Sequence, residues 1–210
     1  MRSITRLAAI MLAATALPLV IAAPAYAQSA TPADAAAATR FVEDISNRVF
    51  TLLKDKSVSQ NKLRGRFRTM MRESFALDEI GNKLVRRYRS QITPAQYAAY
   101  QSALPEFAIN AYSDRLENFA DAAVQPVRTL PRGTRGDVDV YSRIVRPGAQ
   151  PFDAVWTVRR VGGSFRIVNL TVAGINLSLT QEADFSAYIA KNGFDALVTF
   201  MKSANARAAV

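Results

Sequence analysis

The chain changes its hydrophobic period after Ala122, from helical to alternating, and returns to the helical period before its end, which restricts the folds open to it. In residues 39–54, Phe41, Ile45, Val49, Leu52 and Leu53 recur at helical spacing with Glu43, Asp44, Asn47 and Arg48 between them, as in an amphipathic helix. A second helix is predicted over 59–73, burying Leu63, Phe67, Met70 and Met71, and a third over 78–89, carrying Ile80, Leu84, Val85 and Tyr88. Thr93-Pro94-Ala95-Gln96 combines a capping threonine, a proline at the first helical position and a capping-box glutamine, so it starts a fourth helix. That helix holds Tyr97, Tyr100, Leu104, Phe107, Ala111 and Tyr112 along one side, and Pro105 is expected to break or bend it near Leu104.

Strands are predicted near 124–130, 136–145, 152–160 and 165–172, separated by Pro131-Arg132-Gly133, Pro147-Gly148 and Gly162-Gly163 turns. Helices near 182–191 and 194–203 close the chain. Helices, consecutive strands and helices again make an α+β domain with a four-stranded, largely antiparallel sheet. Alternation puts Phe152, Ala154, Trp156 and Val158 on one face of the third strand, with Asp153, Val155, Thr157 and Arg159 opposite. The second strand turns Val138, Val140, Ser142 and Ile144 inward, and the fourth Val168, Leu170 and Val172. Periodicity alone reads these rows as the core side of a sheet packed on helices.

The first residues read as an export signal. Arg2 and Arg6 precede the apolar run 7–23, and Ala25-Tyr26-Ala27 supplies a small-x-small cleavage site. Residues 1–27 are therefore expected to be removed, residues 28–39, rich in Ala, Ser and Pro, to form a flexible leader, and residues 40–210 to fold as a single domain. No later run is long and apolar enough to span a bilayer.

Composition narrows the chemistry. The chain has no Cys and no His, which excludes a Cys nucleophile, the usual His general base and the common zinc and haem ligand sets. No Gly-rich phosphate loop or metal-ligand spacing appears, so no cofactor and no metal is expected. Asp137 and Asp139 on the outward side of their strand, and Asp78-Glu79 at a helix start, occupy ordinary solubility and capping placements. The formal charge of +10 favours anionic partners, acidic lipid headgroups or acidic protein surfaces rather than nucleic acid, for which no module is visible. The excess concentrates in two helical clusters: Lys62, Arg64, Arg66, Arg68 and Arg72, then Lys83, Arg86, Arg87 and Arg89. Each could be a solvated face or a docking surface.

Trp156, Phe165-Arg166-Ile167, Asn169, Val172, Gly174-Ile175-Asn176-Leu177, Phe185, Gly193-Phe194-Asp195 and Leu197 together resemble the C-terminal half of the MlaC, or toluene-tolerance (Ttg-type), family. The resemblance reaches back to about Phe41. Two positions depart from the family pattern: Gln181-Glu182-Ala183-Asp184 precedes Phe185 where many relatives carry Arg or Tyr-Arg, and Asn169 stands where Asp is frequent. The resemblance implies a cone-shaped, NTF2-like domain enclosing an apolar cavity. It implies a non-catalytic periplasmic phospholipid carrier, expected to be monomeric. Its implied partners are an inner-membrane ABC transporter with a periplasmic lipid-binding ring and an outer-membrane lipoprotein–porin complex, and the implied task is maintaining outer-membrane lipid asymmetry.

On that reading the tails would meet Phe67, Met70, Met71, Leu84, Tyr88, Tyr100, Leu104, Phe107, Tyr112, Val140, Ile144, Trp156, Val168, Leu170 and Val172, although each could equally be core. Arg64, Arg68, Arg72, Arg86 and Arg87 would meet the headgroup or a partner. A hopanoid or other polycyclic lipid is the alternative cargo. An NTF2-like small enzyme is the alternative class, for which the missing His makes a pocket acid or base hard to supply.

Overall fold

Among the described residues, six α-helices and a five-stranded antiparallel sheet follow the order read from the periods. The computed structural model describes residues 30–208 except 56, 58, 117 and 118, and the expected cleavage near Ala27 lies outside them.

Helix α1 (Pro32–Lys54) begins earlier than expected. Thr31 and Asp34 form a capping box and Pro32 occupies the first turn, so residues 32–39, read from composition as part of a flexible leader, are helical. Alanine favours helix, and its small side chain lets α1 approach the sheet closely enough to bury Ala38 completely. Helix α2 (Gln60–Ser74) follows. Helix α3 (Leu77–Leu84) is shorter than predicted and gives way to a 3₁₀ turn over Arg86–Tyr88. Continuing the α-helix would stack Lys83 on Arg86 and Arg87, and like charges at those spacings oppose it. Helix α4 (Pro94–Leu116) runs through Pro105 without ending. The missing amide costs one rung of the ladder, which burial of Leu104 and Ile109 on either side offsets.

Strands β1 (Ala123–Arg132), β2 (Asp137–Val145), β3 (Phe152–Val161) and β4 (Ser164–Val172) form a meander, and a two-residue β5 (Ile175–Asn176) adds a fifth strand to the four expected. β5 leads directly into α5 (Leu177–Asn192), whose first turn is capped by Asn176 Oδ1 accepting from the Leu179 amide at 3.1 Å. Helix α6 (Phe194–Ala208) ends the described chain.

One irregularity changes the expected inner face. Thr157 pairs with Asn169 but Val158 pairs with Ile167, so Val168 is the extra residue of a β-bulge. Beyond the bulge, Ile167 takes the inward position assigned to Val168. The chain between α2 and α3 borders this point: Phe75 bridges Ile167, and the Ala76 amide donates to the Ile167 carbonyl at 3.0 Å.

Among the described residues, two large cores and a small cluster of Ala122, Ile144 and Ala154 hold the domain. One packs α1 and α2 on the sheet through Val42, Ile45, Phe67, Met70, Val138, Val140 and Val158. The other joins α3 to α6 through Tyr100, Leu104, Phe185, Phe194, Leu197 and Met201. Helix α4 packs on α2, α3 and α6 and stands off from the sheet.

Candidate functional site

The space between α4 and the inner face of the sheet is a cavity of about 410 Å³, within the range of small-molecule sites. Leu104, Phe107, Ala108 and Tyr112 of α4 form one wall, and Ile144, Phe152, Ala154, Trp156, Ile167, Leu170 and Val172 the opposite one. Ile45, Val49 and Phe50 of α1 with Phe67 and Met71 of α2 close one side; Leu77, Ile80, Leu84, Leu177 and Phe185 close the other. No charged side chain among the described residues lines it. Ser46, one of its few polar groups, is satisfied by donating to the Val42 carbonyl at 2.6 Å. The Trp156 indole donates from Nε1 to Ser142 Oγ at 2.8 Å. That bond explains a serine in an otherwise apolar inward row and fixes the ring.

The sequence-predicted residues divide. Phe67, Met71, Leu84, Leu104, Phe107, Tyr112, Ile144, Trp156, Leu170 and Val172 line the cavity. Met70 and Val140 instead fill the core beneath α1 and α2. Tyr88 and Tyr100 belong to the helical core, where their hydroxyls donate to the Ser186 carbonyl at 3.2 Å and the Gly81 carbonyl at 2.9 Å. Val168 is removed from the wall by the bulge. Among the lining residues not predicted to meet the tails, Leu177, Gln181 and Phe185 recur at four-residue steps on α5, a stripe visible in the sequence once the helix is started at Leu177.

The arginines predicted to dock a headgroup or partner also divide. Arg68 donates from Nε and Nη2 to Glu106 at 2.5–2.9 Å, a bond that raises the guanidinium pKa and ties α2 to α4. Arg72 lies 3.6 Å from the same carboxylate. Arg64 reaches the Ala208 carbonyl at 3.2 Å. Arg64 and Arg68 thus make contacts between helices, while Arg72 stays half exposed beside Glu106. Arg86 and Arg87 are exposed on the 3₁₀ turn.

The far side of the sheet has the opposite character. Asp137 and Asp139, expected on a solvated face, are each 8% exposed. Arg159 bridges Asp137 and Glu79, and its pKa is raised chiefly by the hydrogen bond to Asp137. Asp139 accepts from Thr157 Oγ1 at 2.7 Å and from Arg132. These carboxylates are paired and lie outside the cavity lining. Among the described residues no group of His, Cys, Asp and Glu is placed to hold a metal ion.

An uncharged hollow beneath one face of the sheet, with paired carboxylates on the other, defines an apolar-ligand-binding α+β domain. The sequence model of the MlaC protein family matches residues 43–203, and the chain belongs to that family. The fold is similar to that of the phospholipid-binding protein from Ralstonia solanacearum, solved in complex with a phospholipid: TM-score 0.65, 20% identity, covering 84% of this chain and 98% of that one.

Proposed function

We propose that the protein is a phospholipid carrier that holds acyl tails in the cavity and performs no chemistry on them. The observation that carries this reading is the uncharged lining around about 410 Å³ of space. Each buried methylene is worth about 0.8 kcal/mol, so a carrier must offer apolar surface nearly equal to what the bilayer offers. Aromatic rings and a flexible methionine side chain supply such surface and adapt to different chains. Family membership and the phospholipid held by the Ralstonia protein support the same ligand class. On this reading the chain is exported to the periplasm after cleavage near Ala27. There it passes lipid between an outer-membrane lipoprotein–porin complex and an inner-membrane ABC transporter whose periplasmic ring binds lipid.

The test is mass spectrometry of lipid extracted from the purified protein. Wild type is expected to carry phospholipid of unaltered mass and headgroup. Leu170→Glu, which places a carboxylate in the apolar wall at a cost of several kcal/mol if the site stays dry, is expected to lose it. Wild-type protein that never contains lipid, or a folded-protein-dependent appearance of lysolipid or fatty acid, would defeat the proposal.

A further inference from the structure

At the start of α5 the lining of the cavity carries hydrogen-bonding groups that the fold does not use. Leu177, Ser178 and Gln181 all line the hollow. Ser178 is 6% exposed, and its hydroxyl makes no hydrogen bond to any described residue. Three other helical hydroxyls show the usual outlet, the carbonyl four residues back: Ser46 donates to Val42 at 2.6 Å, Thr180 to Asn176 at 3.1 Å and Thr199 to Asp195 at 2.9 Å. Ser178 is the second residue of α5, so the position four before it is Gly174, in the β4–β5 loop outside the helix. Its hydroxyl is left for whatever fills the cavity.

Gln181 stands one turn further along the lining stripe, and its carboxamide likewise makes no hydrogen bond to a described residue. Helix α5 is 16 residues long and begins here, so the positive end of its dipole adds to the attraction for an oxygen at this point. No charged side chain among the described residues lines the cavity. An ionised phosphate drawn inside would lose its hydration with no cation to replace it. A neutral carbonyl oxygen needs only uncharged donors of the kind that Ser178 and Gln181 supply.

We propose that the start of α5 is the polar subsite of the cavity, where the Ser178 hydroxyl and the Gln181 carboxamide donate to the carbonyl oxygen of a carboxylic ester, the group that joins an acyl chain to glycerol. This rests on the carrier reading above and narrows its ligand to ester-linked lipids. An ester carbonyl gives up its water on entering an apolar hollow, and donors already in place offset that loss. An ether-linked chain, or a polycyclic hydrocarbon without an ester, leaves both donors unpaired, so the site discriminates against it.

The experiment offers the purified protein vesicles that hold equal amounts of diacyl phosphatidylglycerol and its dialkyl ether analogue of the same chain length, and reads the bound lipids by mass spectrometry. Wild type is expected to hold the ester form about tenfold over the ether. Ser178→Ala/Gln181→Met, which removes both donors at similar volume, should bring the two lipids to parity, and each single variant should fall between. Thr180→Ala, on the same turn with its hydroxyl spent on Asn176, should match wild type. Equal binding of the two lipids by wild type, or a wild-type ratio in both single variants, overturns the subsite; the single variants decide the question where the double variant fails to fold. A loss in Thr180→Ala equal to that in Ser178→Ala would trace the preference to the capping turn and also overturns it. So does a change in preference between phosphatidylglycerol and phosphatidylethanolamine while the ester ratio holds, since the donors would then serve the headgroup. Wild type that binds neither lipid removes the carrier reading and the subsite together, whereas wild type that binds both equally removes the subsite alone.

Discussion

The helical core and the hollow beneath the sheet are built from the same residue types, yet one is packed solid and the other is open. Around Tyr100, rings of Phe185 and Phe194 lie 6.4 and 5.8 Å away. A methyl group added at Gly81 would sit 2.3 Å from Leu104 Cδ2. Leu104 is the boundary: its other side faces about 410 Å³ of space. Close packing is the ordinary state of protein interiors. The unfilled wall is therefore the exception, and it sits where α4 stands off from the sheet while remaining packed on three other helices.

Paired truncations test this contrast most strongly. Tyr100→Ala removes a fully buried ring from the solid region and is expected to cost about 3–5 kcal/mol, because rigid neighbours cannot collapse into the gap. Leu170→Ala enlarges a space that already exists and is expected to cost about 1 kcal/mol, well below a typical core leucine. Denaturant midpoints at constant slope would measure both. Equal losses would mean that the hollow is load-sharing core and would break the comparison.

That contrast was only partly legible in the sequence. The order of elements, the inward row of Ala154 and Trp156, and Phe67, Phe107 and Leu170 could be read from periodicity and resemblance. Tyr100 and Phe107 occupy the same predicted apolar side of α4, and nothing in their spacing says that one meets Gly81 while the other meets space. Distinguishing core from cavity depends on how far apart two elements are held, which periodicity does not encode. Val168 was misplaced because alternation assumes an unbroken register, and no residue type in Ile167-Val168-Asn169 marks the bulge. The Ala-rich start of α1 was hidden by composition that resembles a leader, although Thr31 and Asp34 carry the capping signature. Arg68 looked available for a headgroup because its partner, Glu106, lies on another helix.

Alkali should sharpen the contrast by acting on the solid region. Burial pushes the Tyr100 phenol far above its ordinary value of 10.0. A raised acid stays protonated in the fold while the unfolded chain ionises, so its contribution to stability is complete below pH 10.0 and is lost as pH rises beyond it. Tyr100→Phe is expected to cost about 1 kcal/mol at neutral pH, since the Gly81 carbonyl loses its donor, and to flatten the alkaline decline. An alkaline limb identical to wild type in Tyr100→Phe would place the titrating group elsewhere.

Acid should act on the other region, and more weakly. The α1 wall of the hollow begins at Thr31, whose backbone amide and hydroxyl hydrogen-bond the Asp34 carboxylate; Arg160 of β3 lies 3.1 Å from its other oxygen. The Thr31 amide, then its hydroxyl, then Arg160, hold the Asp34 pKa below its ordinary value of 3.8. A depressed carboxyl contributes stability above that value and loses it as pH falls through the folded pKa. Acidification below 3.8 is therefore expected to loosen the first turn of α1, read from the backbone chemical shifts of Ala35–Ala38, while the signals of the Tyr100 cluster hold. Asp34→Asn keeps an oxygen that can accept from the Thr31 amide but removes the titration, so its first turn should be slightly looser at neutral pH and insensitive to acid. Helix α1 and the Tyr100 cluster responding together in wild type would show that the two regions unfold as one unit, and that their different packing does not separate their stabilities.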